Sequence, residues 1–70
     1  MKNNLKIERA MADLTQQQLA ERIGVTRQTI NAIEKGRYVP STVLALKMAS
    51  IFGKSLEDIF QLEEVDWSGD

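Results

Sequence analysis

The chain contains no cysteine and no histidine, and only one proline, one tryptophan, one tyrosine and two phenylalanines in 70 residues. Without cysteine there is no disulfide staple and no thiolate metal site. Without histidine, the usual zinc sites and an imidazole acid–base catalyst are excluded too. The carboxylates crowd toward an acidic end, with no glycine-rich phosphate loop and no paired acid–base spacing. No enzyme activity, metal, cofactor or small-molecule ligand is therefore expected. No apolar run approaches the roughly 20 residues of a membrane span. The opening MKNNLKIERA is too polar for a signal peptide. No membrane partner is expected, and the cytoplasm is the expected compartment.

What is present suits one small globular domain: 43% hydrophobic and 27% charged residues. A chain this short buries only roughly 60% of its unfolded surface, so packing or pairing with a second copy must stabilise it. The net charge of −1 hides a polarity. Residues 1–40 hold seven basic against four acidic side chains, and residues 41–70 hold two against six. This is either an ordinary mixed-charge surface or a dipolar chain that can turn a positive face to phosphates.

Helical spacing dominates the first sixty residues. Leu5, Arg9 and Ala12 share one face, and Ile7 and Met11 another, which predicts a helix over residues 4–12 with Asp13 in a left-handed turn. Thr15 and Gln18 form a capping box for a second helix that runs to Ile23 and stops at Gly24. Thr26 caps a third through Lys35, stopped by Gly36. After Pro40, Ser41 or Thr42 starts a fourth helix ending at Gly53. Its apolar positions cover more than one face and predict the most enclosed helix. Ser55 and Asp58 cap a short fifth helix from Leu56 to Phe60. In the remaining QLEEVDWSGD, apolar and polar residues alternate, which predicts an extended tail docked on the domain or on a second chain.

Residues 15–36, TQQQLAERIGVTRQTINAIEKG, carry the functional signal. Ala20 permits a close helix crossing, Gly24 supplies the turn, and Val25, Ile30 and Ile33 hold the angle by burial. The third helix is apolar on one side and bears Thr26, Arg27, Gln28, Thr29 and Asn31 on the other. Such a helix suits the major groove of B-DNA, although the same residues could form a merely solvated face. At these spacings the stretch resembles the Cro/C1, or xenobiotic-response-element, family of helix-turn-helix regulators over residues 4–60. Within it, the NNLK start, RQTINAIEK, the YVPS loop and EDIFQ resemble the small dimeric cytolysin-operon repressor type.

The resemblance implies an all-α, five-helix DNA-binding domain over residues 1–60, followed by an acidic tail over 61–70 that includes a short strand at a dimer interface. It makes the third helix the recognition helix. Arg27, Gln28, Asn31 and Ala32 then face bases: arginine suits guanine O6/N7, glutamine or asparagine suits adenine N6/N7, and Ala32 suits a thymine methyl. Gln16, Thr26, Thr29, Lys35 and Arg37 are the phosphate candidates. Tyr38 either joins them or packs on the fourth helix. The resemblance also implies an ion pair between Arg9 and Glu34 that orients the recognition helix. The chain departs from the family pattern at Glu8, where an apolar residue is usual, and at Asp13, where glycine is common. Ile7 and Met11 are then expected to pack outside the ordinary core, against the tail or a partner.

One recognition helix reads about four base pairs, too few among the roughly 10⁶ competing sites of a genome. A homodimer on a palindromic operator is therefore expected, joined through the fifth helix and Phe60, Leu62, Val65 and Trp67, with Met1–Asn3 adding a strand. Its action would be repression at the nucleoid. An antitoxin or restriction–modification controller would carry the same DNA-binding domain, and a protein-interaction adaptor is the competing class.

Overall fold

Short polar side chains set where the helices begin. Thr15 Oγ1 accepts from the Gln18 N–H at 3.0 Å while Gln18 Oε1 accepts from the Thr15 N–H at 2.9 Å. Ser55 and Asp58 repeat this reciprocal cap at 3.2 and 3.3 Å. Thr26 and Ser41 cap their helices with single bonds of 3.2 Å each. Each cap satisfies an N–H that the first helical turn leaves without a partner.

The computed structural model describes residues 1–68. In chain order the elements are β1 (Lys2–Asn3), α1 (Leu5–Met11), α2 (Gln16–Ile23), α3 (Arg27–Glu34), α4 (Thr42–Phe52), α5 (Leu56–Ile59), β2 (Phe60–Gln61) and α6 (Glu64–Trp67). The all-α class and the five expected helices are present. A sixth helical turn is an addition, and the strands expected at the N-terminus and after the fifth helix pair with each other in a two-stranded sheet. Asp13 takes the expected left-handed conformation at φ 61°. Gly24, at φ 78°, lets the chain leave α2 and start α3 three residues later, a conformation that costs a side-chain-bearing residue more.

Leu5 from α1, Leu19, Ala20 and Ile23 from α2, Ile30 and Ile33 from α3, Met48 from α4, Ile59 from α5 and Phe60 form one buried core. Ala20, fully buried, lets α2 and α3 approach closely. The fourth helix is not the most enclosed one. Only Met48 is fully buried there, and Val43 and Leu46 are 61% and 52% exposed. Helix α4 lies at the edge of the domain, against α2 and α5, and nothing within the described chain covers its outer side.

The chain's two ends meet. Lys2 pairs with Gln61 and Asn3 with Phe60 in antiparallel register. The strand expected at a dimer interface is thus paired within the chain, and the 60/61 division read from sequence lies inside β2. Residues 64–67 are helical rather than extended. Asp66 Oδ2 accepts from the Glu63 N–H at 2.7 Å and closes the turn, a local bond that overrides the alternation of Val65 and Trp67. The α-ammonium of Met1 reaches Glu63 and Asp66, each at 3.0 Å. Residues 69 and 70 of the expected tail lie outside the described residues. Ile7 and Met11 stand largely in solvent rather than under the tail or the core. Glu8 between them is nearly buried, with the Lys54 ammonium at 3.5 Å.

Arg9 and Glu34 join α1 to α3 across the core's rim. Arg9 Nε donates to Glu34 Oε2 at 2.7 Å and Nη2 to Oε1 at 3.3 Å, with side chains only 15% and 6% exposed. Arg9 Nη1 also donates to the Leu14 carbonyl at 2.9 Å, fixing the α1–α2 turn. Removing one partner strands the other charge in a poorly hydrated place. Glu34→Ala is expected to lower stability by about 3 kcal/mol, the lower end for a broken buried pair because Arg9 is partly wet. Denaturant unfolding checks this, and an unchanged midpoint would show that the pair contributes nothing.

The end-to-end clamp carries a pH signature. Bonds from Glu63 and then Asp66 raise the Met1 ammonium above its usual 8.0. The Glu63 N–H and then the ammonium hold Asp66 below its usual 3.8. The ammonium's contribution is complete below 8.0 and is lost as pH rises through its raised folded value. That of Asp66 is complete above 3.8 and is lost as pH falls through its depressed folded value. Backbone resonances of residues 63–67 are expected to hold steady between these limits. They should move beyond either limit before those of Leu19 or Ile33. Movement of both groups together would remove the clamp from the account.

Candidate nucleic-acid interface

Two buried residues and one half-buried carboxylate orient α3. Ile30 and Ile33 turn one side of it into the core, and Glu34 is gripped by Arg9. Asn3 adds a hold from the N-terminal strand, its Nδ2 donating to the Ile33 carbonyl at 2.9 Å. The same side chain's Oδ1 accepts from the Leu5 N–H at 3.0 Å, so one asparagine caps α1 and satisfies the end of α3. On the other side of α3, Arg27 and Gln28 are exposed at its first turn, and Asn31 and Ala32 are half-buried one turn later.

The phosphate candidates surround this row unevenly. Thr26 is exposed and Thr29 half-buried, their hydroxyl oxygens 3.1 Å apart, so both stand at the start of α3. Lys35, Arg37 and Tyr38 are exposed at the end of α3 and in its following loop. Tyr38 remains 47% accessible and is not packed away beneath α4. Gln16, at the first position of α2, is half-buried and faces α3.

Gln16 is the residue whose role the linear order does not reveal. Its Nε2 donates to Glu34 Oε1 at 3.1 Å and to Asn31 Oδ1 at 3.3 Å. Its Oε1 accepts from Arg27 Nη1 at 3.4 Å. One amide thus links the Arg9–Glu34 pair to two of the four base-facing candidates. Its partners are 11, 15 and 18 residues away, beyond the reach of any helical periodicity. A second unforeseen contact is Lys47 of α4, whose ammonium donates to the Ile23 carbonyl at 3.3 Å. It places a positive charge where the dipole of α2 ends negative.

Charge is divided between elements. Arg22, Arg27, Lys35 and Arg37 are exposed on α2, α3 and the loop after it. Glu57, Asp58, Glu63, Glu64 and Asp66 lie on α5, α6 and the turn between β2 and α6. Amide donors and acceptors beside an exposed guanidinium, on a short helix turned outward, can satisfy base edges and phosphates together. Of the expected interface residues, Leu62, Val65 and Trp67 are exposed, Trp67 at 77%. Phe60 instead completes the core, from a strand position paired with Asn3.

No helix among the described residues is long and apolar enough to cross a membrane. The helix-turn-helix family signature matches residues 5–59, from the start of α1 to the end of α5. An uncharacterized HTH-type transcriptional regulator of Methanocaldococcus jannaschii is 58% identical over 64 residues, covering 91% of this chain and 97% of its own length. The uncharacterized HTH-type transcriptional regulator YgzD of Bacillus subtilis is 55% identical over 64 residues with the same coverage of both chains. A third, from Methanothermobacter thermautotrophicus, is 52% identical over 65 residues, covering 91% of this chain and 94% of its own. With α2 and α3 as its two-helix unit, the chain belongs to the Cro/C1-type helix-turn-helix family of regulators.

Proposed function

We propose that the protein is a sequence-specific repressor that binds a palindromic operator as a homodimer, working at the nucleoid in the cytoplasm. The observation that supports this most is the outward face of α3, where Arg27 and Gln28 are exposed and Asn31 is held at its rim by Gln16. Arg27 reads guanine, Gln28 and Asn31 read bases one turn apart, and Ala32 meets a thymine methyl. Thr26, Thr29, Lys35, Arg37 and Tyr38 grip phosphates with their side chains, and Gln16 does so with its backbone N–H at the start of α2; these contacts set the register without reading sequence.

Two copies are needed for enough sequence to be read, with the two α3 helices about 34–36 Å apart. The joining surface in this proposal is the apolar groove lined by Val39, Pro40, Ala45, Leu56 and Leu62, extended by Val65 and Trp67. The outer residues of α4, Val43 and Leu46, add to an apolar area that a monomer leaves in water. A dimer seated over a promoter excludes RNA polymerase by occupancy alone. An adaptor that binds proteins would leave duplex DNA unbound at low salt.

Arg27→Ala is expected to relax preference at one base position per half-site. Arg37→Ala should weaken all duplexes alike and flatten the dependence of log K on log salt by about one unit. Binding titrations against matched and single-mismatch duplexes separate the two, and unaltered discrimination in the Arg27 variant would remove it from the base-reading set. Sedimentation at micromolar concentration is expected to show a dimer that becomes monomeric with Leu62→Asp. A parent chain that sediments as a monomer would end the dimer proposal.

A further inference from the structure

Resting on the homodimer proposal above, we propose that Trp67 of each copy seats in the apolar groove of the other, a reciprocal exchange that anchors the pair.

Helix α6 lies beyond residue 59, where the family signature ends. None of its side chains is buried, and Trp67, the one tryptophan of the sequence, is 77% exposed. The helix is nevertheless tied down. The Met1 ammonium holds Glu63 and Asp66 at 3.0 Å each, and Asp66 closes the turn on the Glu63 N–H at 2.7 Å. A large indole with only two side-chain torsions thus stands out from a fixed base, a low-entropy form of contact surface.

The groove beside it has a volume of about 350 Å³ and is lined chiefly by Val39, Pro40, Ala45, Leu56 and Leu62. Met1 belongs to both features, since it borders the groove and its ammonium clamps α6. Trp67 does not line the groove of its own chain, so knob and hole lie side by side without meeting. Symmetry makes a second copy the occupant. In a two-fold interface one patch meets itself, and an adjacent knob and hole are both used twice. A tryptophan buries about 150–250 Å² of its own surface, a quarter of the ~800 Å² each partner gives to a standard interface. The groove's walls and the outer α4 residues Val43 and Leu46 add to it. The rim opposes the union: Glu57 borders the groove and Glu64 and Asp66 lie on α6, so like charges approach. Seating the indole offsets this repulsion, which physiological salt screens beyond about 8 Å.

The fluorescence of Trp67 reports its own burial, since no other tryptophan contributes. On dilution of the full-length protein from micromolar to nanomolar, its emission is expected to move to longer wavelength in step with dissociation followed by sedimentation. Trp67→Ala should raise the dimer dissociation constant by about a hundredfold or more, with the melting temperature of the dilute monomer unchanged. Ala45→Gln lays an amide across the groove and should weaken the dimer likewise; Thr42→Gln, at an exposed groove position, is the second block should that variant unfold. The decisive sample is an equimolar mixture of Trp67→Ala with a blocked-groove variant. Their heterodimer joins one intact indole to one open groove, a contact that neither homodimer has. The mixture should therefore dimerise about tenfold more tightly than either variant alone. A mixture no tighter than its components, or a Trp67→Ala chain with the parental constant, would overturn the exchange. Emission independent of concentration in a chain that does dimerise would overturn it too, by moving the contact to another face. A parent chain that sediments as a monomer throughout would sink the dimer proposal itself.

Discussion

The carboxylate of Glu34 is the point on which the arrangement turns. It receives Arg9 from α1 and Gln16 from α2 while belonging to α3, so three helices are tied at one nearly dry site. Apolar burial of Ile30 and Ile33 brings α3 against the core but does not specify its rotation closely, since hydrophobic contact is non-directional. Three charge-assisted hydrogen bonds are directional, and they set that rotation. A recognition helix must present a few side chains to base edges at sub-ångström tolerance, so rotation about its axis is the quantity that matters most. The ion pair therefore bears on which way the helix faces as well as on how stably it is held.

Around this centre the small domain closes its own ends. Asn3 secures both the start of α1 and the end of α3, and the two-stranded pairing of β1 with β2 carries the N-terminal strand beneath the last helices. A core of nine buried apolar residues is modest, and hydrophobic groups on α4 and beyond β2 remain in water. In a chain of 70 residues such uncovered surface is a large share of what is available for stabilisation. The proposed dimer accounts for that surface without asking anything further of the DNA-facing side.

Local chemistry makes most of the fold legible in the sequence. Capping boxes at Thr15 and Ser55, the left-handed positions at Asp13 and Gly24, and the periodic burial of Leu19, Ile23, Ile30 and Ile33 all act within a few residues. The Arg9–Glu34 pair came through family likeness, since nothing local connects residues 25 apart. Three features were hidden for physical reasons. Helix α4 reads as enclosed because hydropathy reports what a face could bury, not whether anything covers it. The α6 turn depends on Asp66 bonding the Glu63 N–H, a contact that alternation of apolar residues masks. Gln16 of α2 joins three residues spread along α3 through an amide whose orientation is dictated by the charges of Glu34 and Arg27.

The most direct measurement is an NMR titration of the labelled protein with a duplex enriched from a random pool. The account predicts the largest shifts at the backbone and side-chain groups of Arg27, Gln28 and Asn31, with smaller ones at Gln16 and in the loop of Arg37 and Tyr38. Shifts confined to α4, α5 and α6, with the outward face of α3 undisturbed, would contradict it.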